Sequence, residues 1–184
     1  MPSLRLLLLT LSVAIGAAPL AAATSSDEHD GDSIDAIVAA LYDVISGPAD
    51  EARDWDRFRA LFHADGRLVP MQPAAPGAWR PVVMPPDTFA VRNAALMATH
   101  PLFQGKGFYE TEVARRTDRY GTIATVWSTY EGRFAPDDEA PFLRGVNTID
   151  LVHDGERWWV LQVLWQQETP DFPLPEAYLT LPGR

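Results

Sequence analysis

The stretch "NTIDLVHDGERWWVLQVLWQQE", Asn147 to Glu168, reads as two long strands joined at Asp154-Gly155. Asp-Gly between apolar runs is a strong hairpin signal, because glycine supplies the positive φ of a tight turn. A two-residue turn sets His153 opposite Glu156 and fixes every pair behind it, since a slip of one residue exchanges the faces of a strand. On that register Leu151 faces Trp158, Ile149 faces Val160, Asn147 faces Gln162 and Gly145 faces Leu164. The opposite face pairs Asp150 with Trp159, Thr148 with Leu161, Val146 with Val163 and Arg144 with Trp165. The second strand is therefore apolar on both faces, and two different partners have to cover it.

The first face is apolar except for Asn147 and Gln162, and is assigned to the interior. The second carries Asp150 and Arg144 beside two tryptophans, and is assigned to the outside. An outer patch of Trp159, Leu161, Val163 and Trp165 is larger than a monomer ordinarily leaves in water. It predicts a homodimer joined sheet to sheet, with Arg144 over Trp165 as a cation–π pair. The other available cover is the proline-rich tail, "TPDFPLPEAYLTLPGR", folded back from about residue 169.

Upstream, apolar residues at Ile34, Ile37, Val38, Leu41, Tyr42 and Ile45 keep helical spacing, with Asp32 or Ser33 as cap and Gly47-Pro48 as stop. A second helix is expected in "DWDRFRALFH", capped by Asp54 and ended by His63. "ADGRLVPM" turns into a short strand, residues 72–79 read as loop, and "RPVVM" reads as an edge strand. "PDTFAVRNAALMATH" fits a third helix that starts at Pro86 and stops before Pro101. "GFYETEVARRTD" and "TIATVWSTYEGRF" form another hairpin around Arg119-Tyr120-Gly121.

Helices grouped early and strands grouped late indicate an α+β fold. This order, with "FRALFHADGRLV" and "RGVNTIDLVHDGERWWVLQVLW", resembles the nuclear transport factor 2-like superfamily and its SnoaL-like branch. The resemblance spans roughly Ile34 to Glu168. It implies a cone-shaped barrel, a curved and mainly antiparallel sheet with three helices on its concave face (a cystatin-like α+β roll). It also implies that Trp158 points at the helices and that copies pair through their sheets. It leaves the activity open, because this architecture hosts many chemistries. Ketosteroid isomerase-like members carry a carboxylate on the first strand, where this chain has Leu68-Val69-Pro70-Met71. The sets of scytalone dehydratase-like and limonene epoxide hydrolase-like members have no residue-by-residue match either.

The first 23 residues read as a signal peptide: Arg5, an apolar run, and Ala21-Ala22-Ala23 before the cut. Residues 24–31 read as a disordered leader, and 32–184 as one domain, exported to the periplasm or beyond. The formal charge of −10 argues against nucleic acid and against an anionic membrane surface as partners. With no cysteine there is no disulfide, thiol nucleophile or thiolate site. The four histidines share no ligand spacing, so no metal and no cofactor is expected.

An interior cone closed by three helices predicts a pocket for a small, largely apolar molecule, with Asn147, Gln162, Trp158 and Ser128 on its wall. In the middle hairpin, Asp118 opposite Thr122 sets Glu112 opposite Ser128 and Glu110 opposite Tyr130. Facing inward, these form an acid/base pair of carboxylate and hydroxyl; facing outward, they belong to an exposed Glu/Arg ladder. His63 is a candidate base or a helix-end cap. Tyr42 is a candidate donor or plain core. Two functions follow: a binding module, or a cofactor-independent dehydratase, isomerase or cyclase using His63 or Glu112 as base and Tyr42 or Tyr130 as donor. A domain that serves assembly alone is the third reading.

Overall fold

The computed structural model describes residues 29–180; the expected signal peptide and most of the expected leader lie outside them. The elements run α1 (Ile34–Ile45), α2 (Trp55–Ala60), β1 (Phe62–Ala75), β2 (Ala78–Pro81), α3 (Pro86–Thr99), β3 (Tyr109–Tyr120), β4 (Ile123–Arg133), β5 (Leu143–His153) and β6 (Trp158–Gln167). The sheet order is β2-β1-β6-β5-β4-β3. β1 runs parallel to β6, and every other neighbouring pair is antiparallel. The fold is α+β as expected, but β2 and β3 are free edges, so the sheet is open rather than a closed barrel.

The helices cover one face of that sheet. Ile37, Val38, Leu41, Phe58 and Leu61 bury against Val126, Ile149, Leu151 and Val160. Ser33 starts α1 by accepting a hydrogen bond from Ala36 N at 3.0 Å, satisfying one of the helix's orphan donors. At the other end Ser46 Oγ donates to Tyr42 O at 2.6 Å and accepts from Glu110 N at 2.9 Å, tying α1 to the start of β3. Asp54 caps α2 through Arg57 N at 2.9 Å. That helix ends at Ala60, not at His63, because the Leu61 carbonyl is taken by Val160 N and Phe62 joins β6 in the sheet.

Residues 72–79 are not loop: β1 continues to Ala75 and turns at Pro76-Gly77 into β2. Gly77, at φ +74°, takes the left-handed turn conformation. Residues 29–31, expected within the leader, are packed. Asp30 is buried against the Arg57 guanidinium (2.8 and 3.0 Å), and the Gly31 carbonyl accepts from Trp158 N.

Both late hairpins differ from their expected registers. Tyr120 pairs with Ile123 around Gly121-Thr122. His153 pairs with Trp158 across a wider turn, in which the Asp154 carboxylate accepts from Glu156 N, Arg157 N and Trp159 Nε1. Each hairpin also contains one extra residue, Val113 in β3 and Leu161 in β6. Beyond Leu161 the faces exchange: Val163 and Trp165 point inward, and Gln162 and Leu164 point outward.

The predicted outer patch thus loses Val163 and Trp165 and keeps Trp159 and Leu161, both half-buried. Arg144 is not over Trp165 but pairs with Glu168 at 2.8 Å. The tail does fold back on the outer face, where the Tyr178 carbonyl accepts from Thr129 Oγ1 and its ring lies 5.9 Å from Trp127.

Asp30 and Arg57 have side-chain exposures of 10% and 14%, and removing Asp30 leaves Arg57 with Asp43 at 2.6 Å but takes away its buried partner. Asp30→Ala is expected to lower stability by about 2–4 kcal/mol in urea unfolding. A loss of less than about 0.5 kcal/mol, the level of an ordinary surface change, contradicts that role.

Candidate functional site

Between the three helices and the inner faces of β3 to β6 lies a cavity of about 280 Å³. Most of its wall is apolar: Leu41, Ile45, Leu143, Ile149 and Val163, with the rings of Trp55, Phe58, Phe89, Phe103, Phe108 and Trp165. Tyr42, Glu110, Tyr130 and Asn147 bring polar atoms to the same wall, while Asn93 and Gln167 complete it. Tyr130 has room there because its cross-strand neighbour is Gly145. A Cβ on Gly145 would come within 2.5 Å of the Tyr130 hydroxyl and of the Gln166 carbonyl oxygen.

These polar groups form one connected line. The Asn147 amide donates to Tyr42 Oη at 3.0 Å and is also hydrogen-bonded to the Glu110 carboxylate. Tyr42 Oη lies 2.6 Å from Ser128 Oγ, and Ser128 Oγ donates to Glu112. Ser128 spends its one proton on that carboxylate, so the Tyr42 hydroxyl is the donor to Ser128. Arg115 closes the line with a forked contact to Glu112 (2.7–2.9 Å) and a further contact to Asp35.

The two carboxylates at the ends of the line differ in what balances their charge. Glu112 has the Arg115 guanidinium. Glu110 makes no ion pair among the described residues and is half-buried on the cavity wall. Burial disfavours its charged form and pushes its pKa up from 4.5 to about 8, against the opposing pull of the Asn147 hydrogen bond. Burial, reinforced by the nearby Glu110 charge, also raises Tyr42 and Tyr130, so both phenols stay protonated.

Of the candidates read from the sequence, Tyr42, Tyr130 and Asn147 stand on the cavity wall, with Ser128 and Glu112 directly behind Tyr42. Glu112 reaches Ser128 although its cross-strand partner is Tyr130, not Ser128. His63 is not at the cavity. It lies in β1 near the far end of β6, half-exposed, accepting from Asp65 N at 3.2 Å. Gln162 faces outward toward Asp150 at 3.4 Å. Trp158 is core, with His153 at 5.1 Å on one side and the Arg119 guanidinium at 4.9 Å on another.

Sequence reasoning missed the central place of Glu110 and the inward turn of Trp165. The sequence offered Glu110 as a possible inward carboxylate beside Tyr130, but which face it takes relative to the rest of β3 depends on the bulge at Val113, which carries no sequence mark.

No protein-family model and no curated protein sequence matches this chain. Solved structures do match its fold. A protein of unknown function with a cystatin-like fold from Nostoc punctiforme aligns at TM-score 0.54 and 13% identity, over 82% of this chain and 96% of that one. An NTF2-like protein of unknown function from Pseudomonas putida aligns at 0.53 and 13%, over 76% and 87%. An uncharacterized protein with a cystatin-like fold from Caulobacter vibrioides aligns at 0.51 and 17%, over 76% and 90%. The fold is therefore NTF2-like, in the cystatin-like class.

Between pH 4.5 and 8 the folded chain holds a proton on Glu110 that the unfolded chain releases. Its contribution is therefore intact below pH 4.5 and is lost as pH rises through about 8. Glu110→Gln is expected to gain on the wild type as pH increases, by on the order of 1–3 kcal/mol at pH 8.5. Parallel stability curves from pH 5 to 8.5 would show that Glu110 titrates as an ordinary carboxyl.

Proposed function

We propose that this chain is an exported NTF2-like domain that binds a small, largely apolar molecule in its internal cavity. The carrying observation is the cavity itself, walled by aromatic and aliphatic side chains with polar groups drawn from Glu110, Asn147 and Tyr42. Such a wall favours an apolar body by burial and orients it through a few placed hydrogen bonds. The leader sequence around Arg5 and Ala21-Ala22-Ala23 supports export. α3 is the loosest wall, with Ala90 its only buried residue and Leu96 42% exposed, which suits it to admit a ligand.

A second reading is a cofactor-independent acid/base enzyme. The observation favouring it is Glu110, a carboxyl with a raised pKa facing an apolar cavity between two protonated phenols. In that reading Glu110 takes the base role first considered for His63 or Glu112, and Tyr42 or Tyr130 donates.

The neutral fluorophore N-phenyl-1-naphthylamine is expected to brighten on entering the cavity and to quench Trp55 and Trp165. Asn93→Phe, which fills the cavity from α3, should weaken that binding by about tenfold or more. An equal response from both proteins would place the dye elsewhere and refute the cavity as the binding site.

A further inference from the structure

We infer that the molecule held in the cavity carries a positive charge: an apolar amine or quaternary ammonium whose cationic nitrogen sits against Glu110. This rests on the binding reading above and adds the ligand's charge to it.

The first ground is a missing counter-charge. Among the described residues lining the cavity there is no Lys, Arg or His, and Glu110 has no ion-pair partner. Glu112, two residues along the same strand, shows the contrast: it is held by Arg115. A carboxylate on an apolar wall is costly unless it is paired. A ligand ammonium would supply the partner that the fold withholds, whereas a ligand carboxylate or phosphate would meet like charge there.

The second ground is the aromatic lining. Six aromatic side chains, Trp55, Phe58, Phe89, Phe103, Phe108 and Trp165, line the same cavity as Glu110. Ring faces carry negative potential, and an array of them together with a carboxylate is the wall chemistry that recognises alkylammonium groups. The acidic chain, with formal charge −10, attracts cations toward the cleft from solution.

The titratable or charged groups around Glu110 are Tyr42 from α1, Tyr130 from β4, and Glu112 with its Arg115 on β3 itself. α2, α3, β5 and β6 contribute only uncharged residues to the cavity wall. A cation that pairs with Glu110 therefore expels the proton this carboxyl holds near neutral pH, and a neutral ligand does not.

The test uses the mature chain with benzyltrimethylammonium, its uncharged isostere neopentylbenzene, and acetophenone as a neutral hydrogen-bond acceptor. Isothermal titration in buffers of different ionisation enthalpy reads affinity and proton release together. The cation is expected to bind about tenfold or more tighter than the isostere at pH 8.5 and to release a proton at pH 6.5. Glu110→Gln should remove most of that preference while leaving the isostere within about twofold. Trp165→Leu, which keeps the carboxylate, should weaken the cation more than the isostere. If the isostere or acetophenone binds as tightly as the cation, the charge inference falls and the apolar cavity stands. If none of the three probes binds, the inference and the binding reading both fall.

Discussion

A strand in a sheet with one buried face sends alternate residues to that face, and one extra residue in one strand exchanges the faces beyond it. Val113 and Leu161 are those extra residues, and the interior of this protein depends on both. Were Val113 paired in the ladder instead of bulged, Glu112 would face Glu131 on the outer side and Glu110 would lie beside Arg133. Were Leu161 paired in the ladder instead of bulged, Trp165 and Val163 would point to solvent and Gln162 would enter the core. The bulges let β6 bury Trp158 and Val160 at one end and Val163 and Trp165 at the other. They also let β3 turn Glu110 and Glu112 inward, beside Tyr42, Ser128 and Asn147.

The cost of those carboxylates is distributed unequally. Glu112 is hydrogen-bonded by Ser128 and held by Arg115, so its charge is matched before it meets the core. Glu110 receives only the Asn147 amide and carries the unrelieved part of the desolvation penalty. The Asn147–Tyr42–Ser128 line gives it a fixed orientation. Ser46 adds a mechanical tie, since the hydroxyl that caps the end of α1 also holds the backbone of Glu110. The helix that supplies Tyr42 and the strand that supplies Glu110 are thereby held in one register.

Much of the fold was legible in the residues. The stripe from Ile34 to Ile45, the Pro86 start of α3 and the strand-rich second half follow from periodicity and from the backbone limits of proline and glycine. Tyr42, Ser128, Glu112, Tyr130 and Asn147 were legible as candidates, but whether the middle hairpin turned Glu112 inward or into an exposed Glu/Arg ladder was open in the residues alone. His63 was misplaced because a short helix yielded its last turn to a parallel pairing between Phe62 and Val160. Residues 29–31 were misread because polarity suggests disorder, whereas Asp30 is buried by an ion pair with a residue far along the chain. Gln162 and Trp165 exchanged roles for one reason, the extra residue between Val160 and Gln162.

The sequence by itself determined the class of fold, the order of its elements and the apolar character of its interior, because hydrophobic period and turn chemistry are local properties. Only the tertiary structure decided which carboxylate faces the cavity and which tryptophans line it. Those choices rest on strand register, and register is set by bulges and cross-strand partners that no local pattern encodes.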